Sequence, residues 1–115
     1  MKVTYEHRPD RPGALIAHLR GSIDPVGAIM FWESASQLVD DETRFVVFDF
    51  SGVTMLTSAG LGTLVRLYTR LQGHGGGLAI FGCGDKIREI INIVMLTEIL
   101  KVRDTEDQAW AALEG

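Results

Sequence analysis

The sequence predicts a single α/β domain over residues 1–115, with a mixed, mainly parallel β-sheet packed against about four α-helices. Short apolar runs rich in β-branched and aromatic residues alternate with segments whose apolar residues recur every three or four positions. The run FVVFDF, residues 45–50, is almost continuously apolar, which is typical of a central strand covered on both faces. The alternation of strand and helix implies parallel strands joined by helical crossovers.

Composition limits the classes of partner and ligand. The net charge is −4 and no basic run is present, which disfavours direct nucleic-acid binding. No apolar stretch approaches the roughly 20 residues that span a bilayer, so we expect no direct membrane insertion. The first 13 residues have no apolar core of a signal peptide. Cys83 is the only cysteine, which favours a reducing cytoplasm, and the three scattered histidines predict neither a metal site nor a cofactor.

The N-terminal part is predicted to be a hairpin followed by a helix. Alternation over residues 2–7 indicates an edge strand, and a turn with two prolines leads into a second strand over residues 14–20. Asp24 precedes Pro25, a pair that is typical of an N-cap and a first helical residue. The helix then runs from Pro25 to about Val39.

The first helix has an apolar face and two apolar residues outside it. Ile29 and Met30 fall off the face, and they are either isolated exposed residues or part of a partner surface. The sequence leaves both interpretations open. The face assigned to the core comprises Ala28, Phe31, Trp32, Ala35, Leu38 and Val39.

A second helix is predicted directly after the central strand. Its apolar face contains Leu61, Leu64, Val65, Tyr68 and Leu71. The tetrapeptide TSAG, residues 57–60, joins strand and helix, and a hydroxyl there is expected to cap the helix. Taken alone, Ser58 is therefore interpreted as an ordinary N-cap near the carboxyl end of a central strand, the edge at which sites gather in open α/β sheets.

The C-terminal third is predicted to contain two more strands and two more helices. The segment QGHGGG, residues 72–77, follows a helix, so it is interpreted as a helix end and not as a phosphate-binding loop. Strands are expected over residues 78–81 and 99–102, with a helix from Lys86 to about Val94 between them. The segment TEDQ, residues 105–108, predicts a capping box for a final helix that ends near residue 113.

Two segments resemble the signature of the anti-sigma factor antagonist family, the STAS domain. They are DFSGV at residues 49–53 and SAGLG at residues 58–62, where a helix begins. Asp24 also matches the aspartate of the family's G-E-L-D segment. Ala59 takes the place of a second serine or threonine, and Thr57 takes the place of a frequent aspartate. Positional correspondence identifies Ser58 as the serine that is phosphorylated in this family.

The resemblance implies a cytoplasmic bacterial protein that is a binding module and not an enzyme. Unphosphorylated, it would bind an anti-sigma factor that is also a serine kinase, and a sigma factor would be released. The kinase would then use ATP to phosphorylate Ser58, and the complex would dissociate. We expect a monomer or a weak dimer. The expected partner-binding residues are Asp24, Thr57, Ser58, Ala59, Gly60, Gly62, Ile29 and Met30.

Two alternatives are weighed against this interpretation. STAS-like domains also serve in membrane transport systems, where the same surface would dock on an ATPase of a lipid transport complex. An enzyme would need a base beside Ser58, but His18 precedes the Asp24 loop and His74 lies at the far end of the Ser58 helix. Catalysis is therefore not expected.

Overall fold

The computed structural model describes residues 1–114 and contains five strands and four helices in that part of the chain. In chain order they are β1 (Lys2–His7), β2 (Ala14–Ile23), α1 (Pro25–Leu38), β3 (Phe45–Leu56), α2 (Ser58–Gly73), β4 (Gly77–Phe81), α3 (Asp85–Ile93), β5 (Val102–Arg103) and α4 (Glu106–Glu114).

The five strands form one sheet in the order β1-β2-β3-β4-β5. β1 pairs with β2 antiparallel, and each of the remaining neighbours pairs parallel. The predicted mixed, mainly parallel sheet with four helices is therefore confirmed. β2, β3 and β4 run in the same direction. The helices that follow them, α1, α2 and α3, therefore all begin beyond the carboxyl ends of these parallel strands.

The helices cover the two faces of the sheet unequally. Residues of α1, α2 and α3 share the larger hydrophobic core with one face, where the rings of Phe31 and Phe48 meet edge to face at 5.6 Å. α4 packs on the other face through Ala109 and Trp110. The Ser58 helix and α4 consequently lie on opposite sides of the sheet.

The central strands are longer than the sequence predicts. β3 extends to Leu56 and pairs there with Ile23, the last residue of β2. The pairing of β3 with β4 ends at Asp49 and Phe81, so beyond Phe50 the strand has β2 as its strand neighbour on one side only. Residues 51–56 mix exposed and buried positions in place of the continuous apolar run, which is why composition indicates the strand only as far as residue 50.

The predicted strand over residues 99–102 is wrong in most of its length. Only Val102 belongs to β5, which continues to Arg103. Leu100 is fully buried within a turn, in which its N–H donates to the carbonyl of Leu96 at 2.9 Å. Its apolar character reflects packing of this turn onto the core and not pairing in the sheet.

Two helix faces also differ from the prediction. Leu38 is 41% exposed, because it is the last residue of α1 and the chain places Val39 in the core instead. On α2, Val65 is 38% exposed and Leu67 is fully buried. The predicted capping box is confirmed: the hydroxyl of Thr105 accepts from the N–H of Gln108, whose side chain accepts from the N–H of Thr105.

Candidate functional site

Ser58 is the first residue of α2 and lies directly beyond β3. Its side chain is exposed, and its hydroxyl makes no hydrogen bond with any other described residue. The oxygen is therefore accessible to a second protein at the carboxyl edge of the sheet.

The expectation that a hydroxyl caps α2 is wrong, because Thr57 is the N-cap and its side chain is used elsewhere. The Thr57 hydroxyl donates to the backbone carbonyl of Ile23 at 2.7 Å, and the Thr57 N–H donates to the same oxygen at 3.1 Å. These bonds join the end of β2 to the start of α2. Ser58 is inside the helix and is not its cap.

The start of α2 consequently remains open to an anion. Its first turn has no hydrogen bond from a capping side chain and contains no acidic residue. The first N–H groups of a helix lack partners within the helix, and the helix dipole places partial positive charge there. A negative group at Ser58 would be stabilised by this field.

Asp24 caps α1, as predicted. Its carboxylate accepts from the N–H of Gly27 at 2.7 Å, and Pro25 is the first helical residue. Asp24 directly follows Ile23, whose carbonyl accepts the two Thr57 bonds. The structure thus brings the junction of β2 and α1, which contains Asp24, beside the start of α2.

The glycines of the SAGLG segment have different environments. Gly60 is buried, and a Cβ atom there would lie 2.6 Å from a methyl group of Ile23 and 2.8 Å from one of Leu56. Gly62 is exposed, and no atom would lie within 4 Å of its Cβ. Gly60 therefore lets α2 approach the ends of the strands, whereas the packing does not require a glycine at position 62.

The two apolar residues assigned to a possible partner surface are both exposed. Ile29 is 60% exposed and Met30 is 48% exposed. Ile29 lines a shallow groove of about 250 Å³ between α1 and α2, together with Ala59 of the Ser58 segment. Met30 does not line this groove. Val26, which is 67% exposed and lies three residues before Ile29, extends the apolar surface and was not predicted.

The sequence interpretation also missed Arg66 and the position of Trp32. Trp32, which was assigned to the core, is only half-buried, and its ring lies against the guanidinium group of Arg66. Both residues line the groove. No local sequence pattern could have indicated this contact, because it joins two helices separated by β3.

The two histidines considered as possible bases have other partners. His18 Nδ1 lies 2.7 Å from a carboxylate oxygen of Asp49, and its Nε2 lies 3.0 Å from one of Glu6. His74 follows α2 at its far end and contacts the carbonyl of Thr43 at 2.9 Å. Within the described part of the chain, no histidine pairs with Ser58.

The His18 contacts shift two pKa values in opposite directions. The hydrogen bond with Asp49 raises the pKa of His18, with a smaller contribution from Glu6. Burial opposes ionisation of Asp49, but hydrogen bonds from His18 and Ser51 outweigh it and lower the pKa of that carboxyl. Both ring nitrogens can donate to carboxylates at the same time only in the protonated imidazolium form.

Cys83 has the character of a packed thiol. It is partly buried against the larger core, and burial raises its pKa to about 11. A thiol with such a pKa is almost entirely protonated at neutral pH and is a poor nucleophile. Residues 1–114 contain no group of three or more histidine, cysteine, aspartate or glutamate side chains arranged to hold a metal ion.

None of the helices over residues 1–114 has the length and apolar character needed to cross a membrane.

Comparisons with known proteins agree on one family. The STAS domain profile matches residues 7–109. The Bordetella bronchiseptica protein named "Putative anti-sigma factor antagonist BtrV" is 28% identical over 102 residues, which cover 89% of this chain and 88% of the relative. The anti-sigma F factor antagonist of Paenibacillus polymyxa is 22% identical over 115 residues, which cover 99% of this chain and 96% of the relative.

A solved structure supports the same grouping. The crystal structure of an anti-sigma factor antagonist from Mycobacterium paratuberculosis superposes with a TM-score of 0.85 at 25% identity, covering 99% of this chain and 94% of the other. The similarity therefore extends over the complete α/β architecture and includes the strand-to-helix segment that contains Ser58.

Proposed function

The chain belongs to the STAS domain family, and from this premise we propose that it is an anti-sigma factor antagonist controlled by phosphorylation of Ser58. Anti-sigma factor antagonists are non-enzymatic regulators, so the serine is a substrate of another protein and not a nucleophile for catalysis by this chain. The proposal places the protein in the bacterial cytoplasm, as a monomer or a weak dimer that binds protein and not nucleic acid.

The proposed cycle has two states. Unphosphorylated protein binds an anti-sigma factor that is also a serine kinase, and the sigma factor is released. The kinase then transfers the γ-phosphoryl group of ATP to the Ser58 hydroxyl oxygen. ADP leaves, and the hydroxyl proton passes to a base of the kinase. The phosphorylated protein dissociates.

The observation that carries this proposal is the exposed Ser58 hydroxyl at a helix start with no capping side chain. A phosphate adds roughly −1.5 to −2 charge at neutral pH, which the positive end of the helix accepts in the free protein. In a formed interface the same dianion must be desolvated, and unless the partner supplies a cation this weakens binding. A loss of about 3 kcal/mol would lower the affinity more than a hundredfold.

The surface around Ser58 supports a protein partner. Thr57 and Ala59 flank the serine in the chain, and Thr57 bonds to Ile23, the residue before Asp24. The exposed side chain of Ile29 lines the same groove as Ala59. Gly62 lies about one turn further along α2, and it is exposed. Met30 and Gly60 have less direct parts in the proposal, since Met30 lies outside the groove and Gly60 is buried.

The test uses purified anti-sigma factors from the source organism and isothermal titration calorimetry. We expect wild type and Ser58→Ala to bind one of them in the presence of ATP, with only wild type released over time. Ser58→Asp should bind at least about a hundredfold more weakly. Mass spectrometry after incubation with the kinase and ATP should locate one phosphate, on Ser58.

Ser51→Ala is the matched control, because Ser51 is also exposed but lies within β3. It should be phosphorylated and released like wild type. Phosphate at another residue, or none, would contradict the mechanism. Binding to an ATPase of a lipid transport complex and to no anti-sigma factor would support the alternative function instead.

A further inference from the structure

Two arginine side chains share one aromatic ring on the surface between α1 and α2. The guanidinium carbon of Arg66 lies 3.7 Å from the centre of a Trp32 ring, and that of Arg70 lies 5.1 Å away. Such contacts attract each cation to the ring. They also bring two positive charges together on a protein whose net charge is −4.

This positive charge is not balanced within the described structure. Arg70 donates to the backbone carbonyl of Ser36 at 3.1 Å, whereas Arg66 makes no hydrogen bond with residues 1–114. Neither arginine belongs to an ion pair in that range. Glu33 lines the same groove but is exposed and forms no ion pair with them. The donor groups of Arg66 are therefore available to an anion.

The Arg66 side chain lies along the groove that begins at the Ser58 segment. Ala59, the residue after Ser58, lines the groove, and Thr63 and Arg66 follow on α2. Ser58 and Arg66 are eight residues apart, which corresponds to about 12 Å along a helix. Ala28 and Ile29 form the opposite wall on α1. An apolar groove thus extends from Ala59, the residue next to the proposed phosphorylation site, to a guanidinium group without an ion-pair partner in the described chain.

We propose that Arg66, held flat by Trp32, is a specificity-determining residue that binds an aspartate or glutamate of the anti-sigma factor. The groove would take an apolar side chain of the same partner segment. This inference rests on the proposed function and adds the chemistry of the partner.

The geometry favours a carboxylate over other anions. A guanidinium group presents its donors in a rigid fork that matches the two oxygens of a carboxylate, and stacking on an aromatic ring fixes that fork. Binding of nucleic acid would require several cationic side chains that follow the phosphate backbone. This surface has only two arginines, and the acidic Glu33 lies in the same groove. A protein carboxylate needs only one such fork.

The test compares Arg66→Gln with Arg20→Gln. Arg20 is exposed, forms no ion pair in the described chain and lies on the sheet face opposite the core that α1 and α2 cover. Both substitutions lower the net charge by one unit, so a general electrostatic effect would be equal. Binding is measured with the anti-sigma factor identified for the wild type, at several salt concentrations.

We expect Arg66→Gln to weaken binding about tenfold or more and to flatten its salt dependence. Arg20→Gln should stay within about twofold of wild type. Arg66→Lys keeps the charge but loses the planar fork, so its affinity should lie between those of wild type and Arg66→Gln. Circular dichroism and thermal unfolding would verify that the variants are folded.

The outcomes separate this inference from the proposed function. If wild type binds, Ser58→Asp does not, and Arg66→Gln binds like Arg20→Gln, the inference is wrong and the switch stands. If Arg66→Lys, when folded, binds as tightly as wild type, the planar fork is not used in recognition and the proposed contact with a carboxylate is wrong. If wild type binds no anti-sigma factor, the proposed function fails and this inference fails with it.

Discussion

Gly60 and Gly62 lie two residues apart on α2, but the packing requires only one of them to be glycine. A methyl group at position 60 would overlap Ile23 and Leu56, which close the end of the core beneath the helix start. A methyl group at position 62 would point into solvent. Since glycine inside a helix costs roughly 1 kcal/mol relative to alanine, Gly62 lowers the stability of the free protein.

We predict opposite effects of alanine at these positions. Gly62→Ala should raise the free energy of unfolding by about 0.5–1 kcal/mol. Gly60→Ala should lower it, because overpacking costs about 1–3 kcal/mol and exceeds the gain in helix propensity. Urea unfolding followed by circular dichroism would measure both. A shift of the same sign for the two variants would show that this account of the packing is wrong.

Individual residues differ in how far the sequence could predict their roles. The capping role of Asp24 can be predicted from the sequence, because an aspartate followed by proline is typical of a helix start. The role of Thr57 cannot be predicted in this way, since its hydroxyl bonds to Ile23, which is 34 residues away in the chain. Arg66 was missed for the same reason: its contact with Trp32 depends on how two helices pack. Local chemistry can be read from the sequence, whereas contacts between elements cannot.

At the scale of elements, His18 links three neighbouring strands on the sheet face opposite α1 and α2. It lies on β2, with Glu6 on β1 and Asp49 on β3. The ring can donate to both carboxylates only when it is protonated. The strength of this link should therefore depend on pH.

We predict that His18→Gln removes a pH-dependent part of the stability. A histidine whose pKa is raised by folding contributes fully below its unfolded pKa of roughly 6.5, and this contribution disappears as the pH rises through the folded value. Asp49, whose pKa is lowered, loses its contribution as the pH falls through its own folded value. The difference between wild type and variant should be largest between about pH 4.5 and 6.5.

The side chains are partly exposed to solvent, so the difference should not exceed about 1 kcal/mol. Urea unfolding at pH 5.5 and pH 9 would measure it. Arg88→Gln breaks a surface ion pair with Asp104 that contains no histidine, and it serves as the control. An equal effect of His18→Gln at both pH values would show that protonation does not govern the link.

Strand boundaries were the least predictable property of the elements. The apolar run of β3 stops at Phe50, where β4 no longer covers it, although the strand continues to Leu56. Conversely, Leu100 looks like a strand residue but is buried in a turn. In both cases a residue is apolar where other elements pack over it, whether or not it belongs to a strand. Which residues are covered depends on the assembled fold.

At the scale of the whole molecule, the order of elements was predictable and is sufficient to identify the architecture. Alternating strands and helices after an initial hairpin allow few arrangements other than a mixed sheet with parallel crossovers. The distribution of helices over the two faces depends on how the elements pack against each other and could not be predicted from their order. It places α4 and His18 on one side of the sheet and the Ser58 helix on the other.

The proposed switch changes the surface charge and leaves the architecture unchanged. Ser58→Asp puts a negative charge in the uncapped first turn of α2, so we predict that it stabilises the folded protein by about 0.3–1 kcal/mol while it weakens partner binding. The melting temperature should rise by a few degrees at most. Small-angle scattering should give the same radius of gyration as for the wild type.

Ser58→Lys is the matched variant, because it places a positive charge in the same field and should lower the melting temperature. If aspartate and lysine at position 58 destabilise the protein equally, the start of α2 does not act as an open anion site.

The joint between β2 and α2 is asymmetric in its chemistry. The oxygen of residue 23 that accepts both Thr57 bonds belongs to the main chain, so every amino acid at that position supplies it. The hydroxyl comes from a side chain and is retained only by threonine or serine. A substitution of residue 57 alone can therefore weaken the connection between the end of β2 and the start of α2, because the acceptor oxygen stays in place.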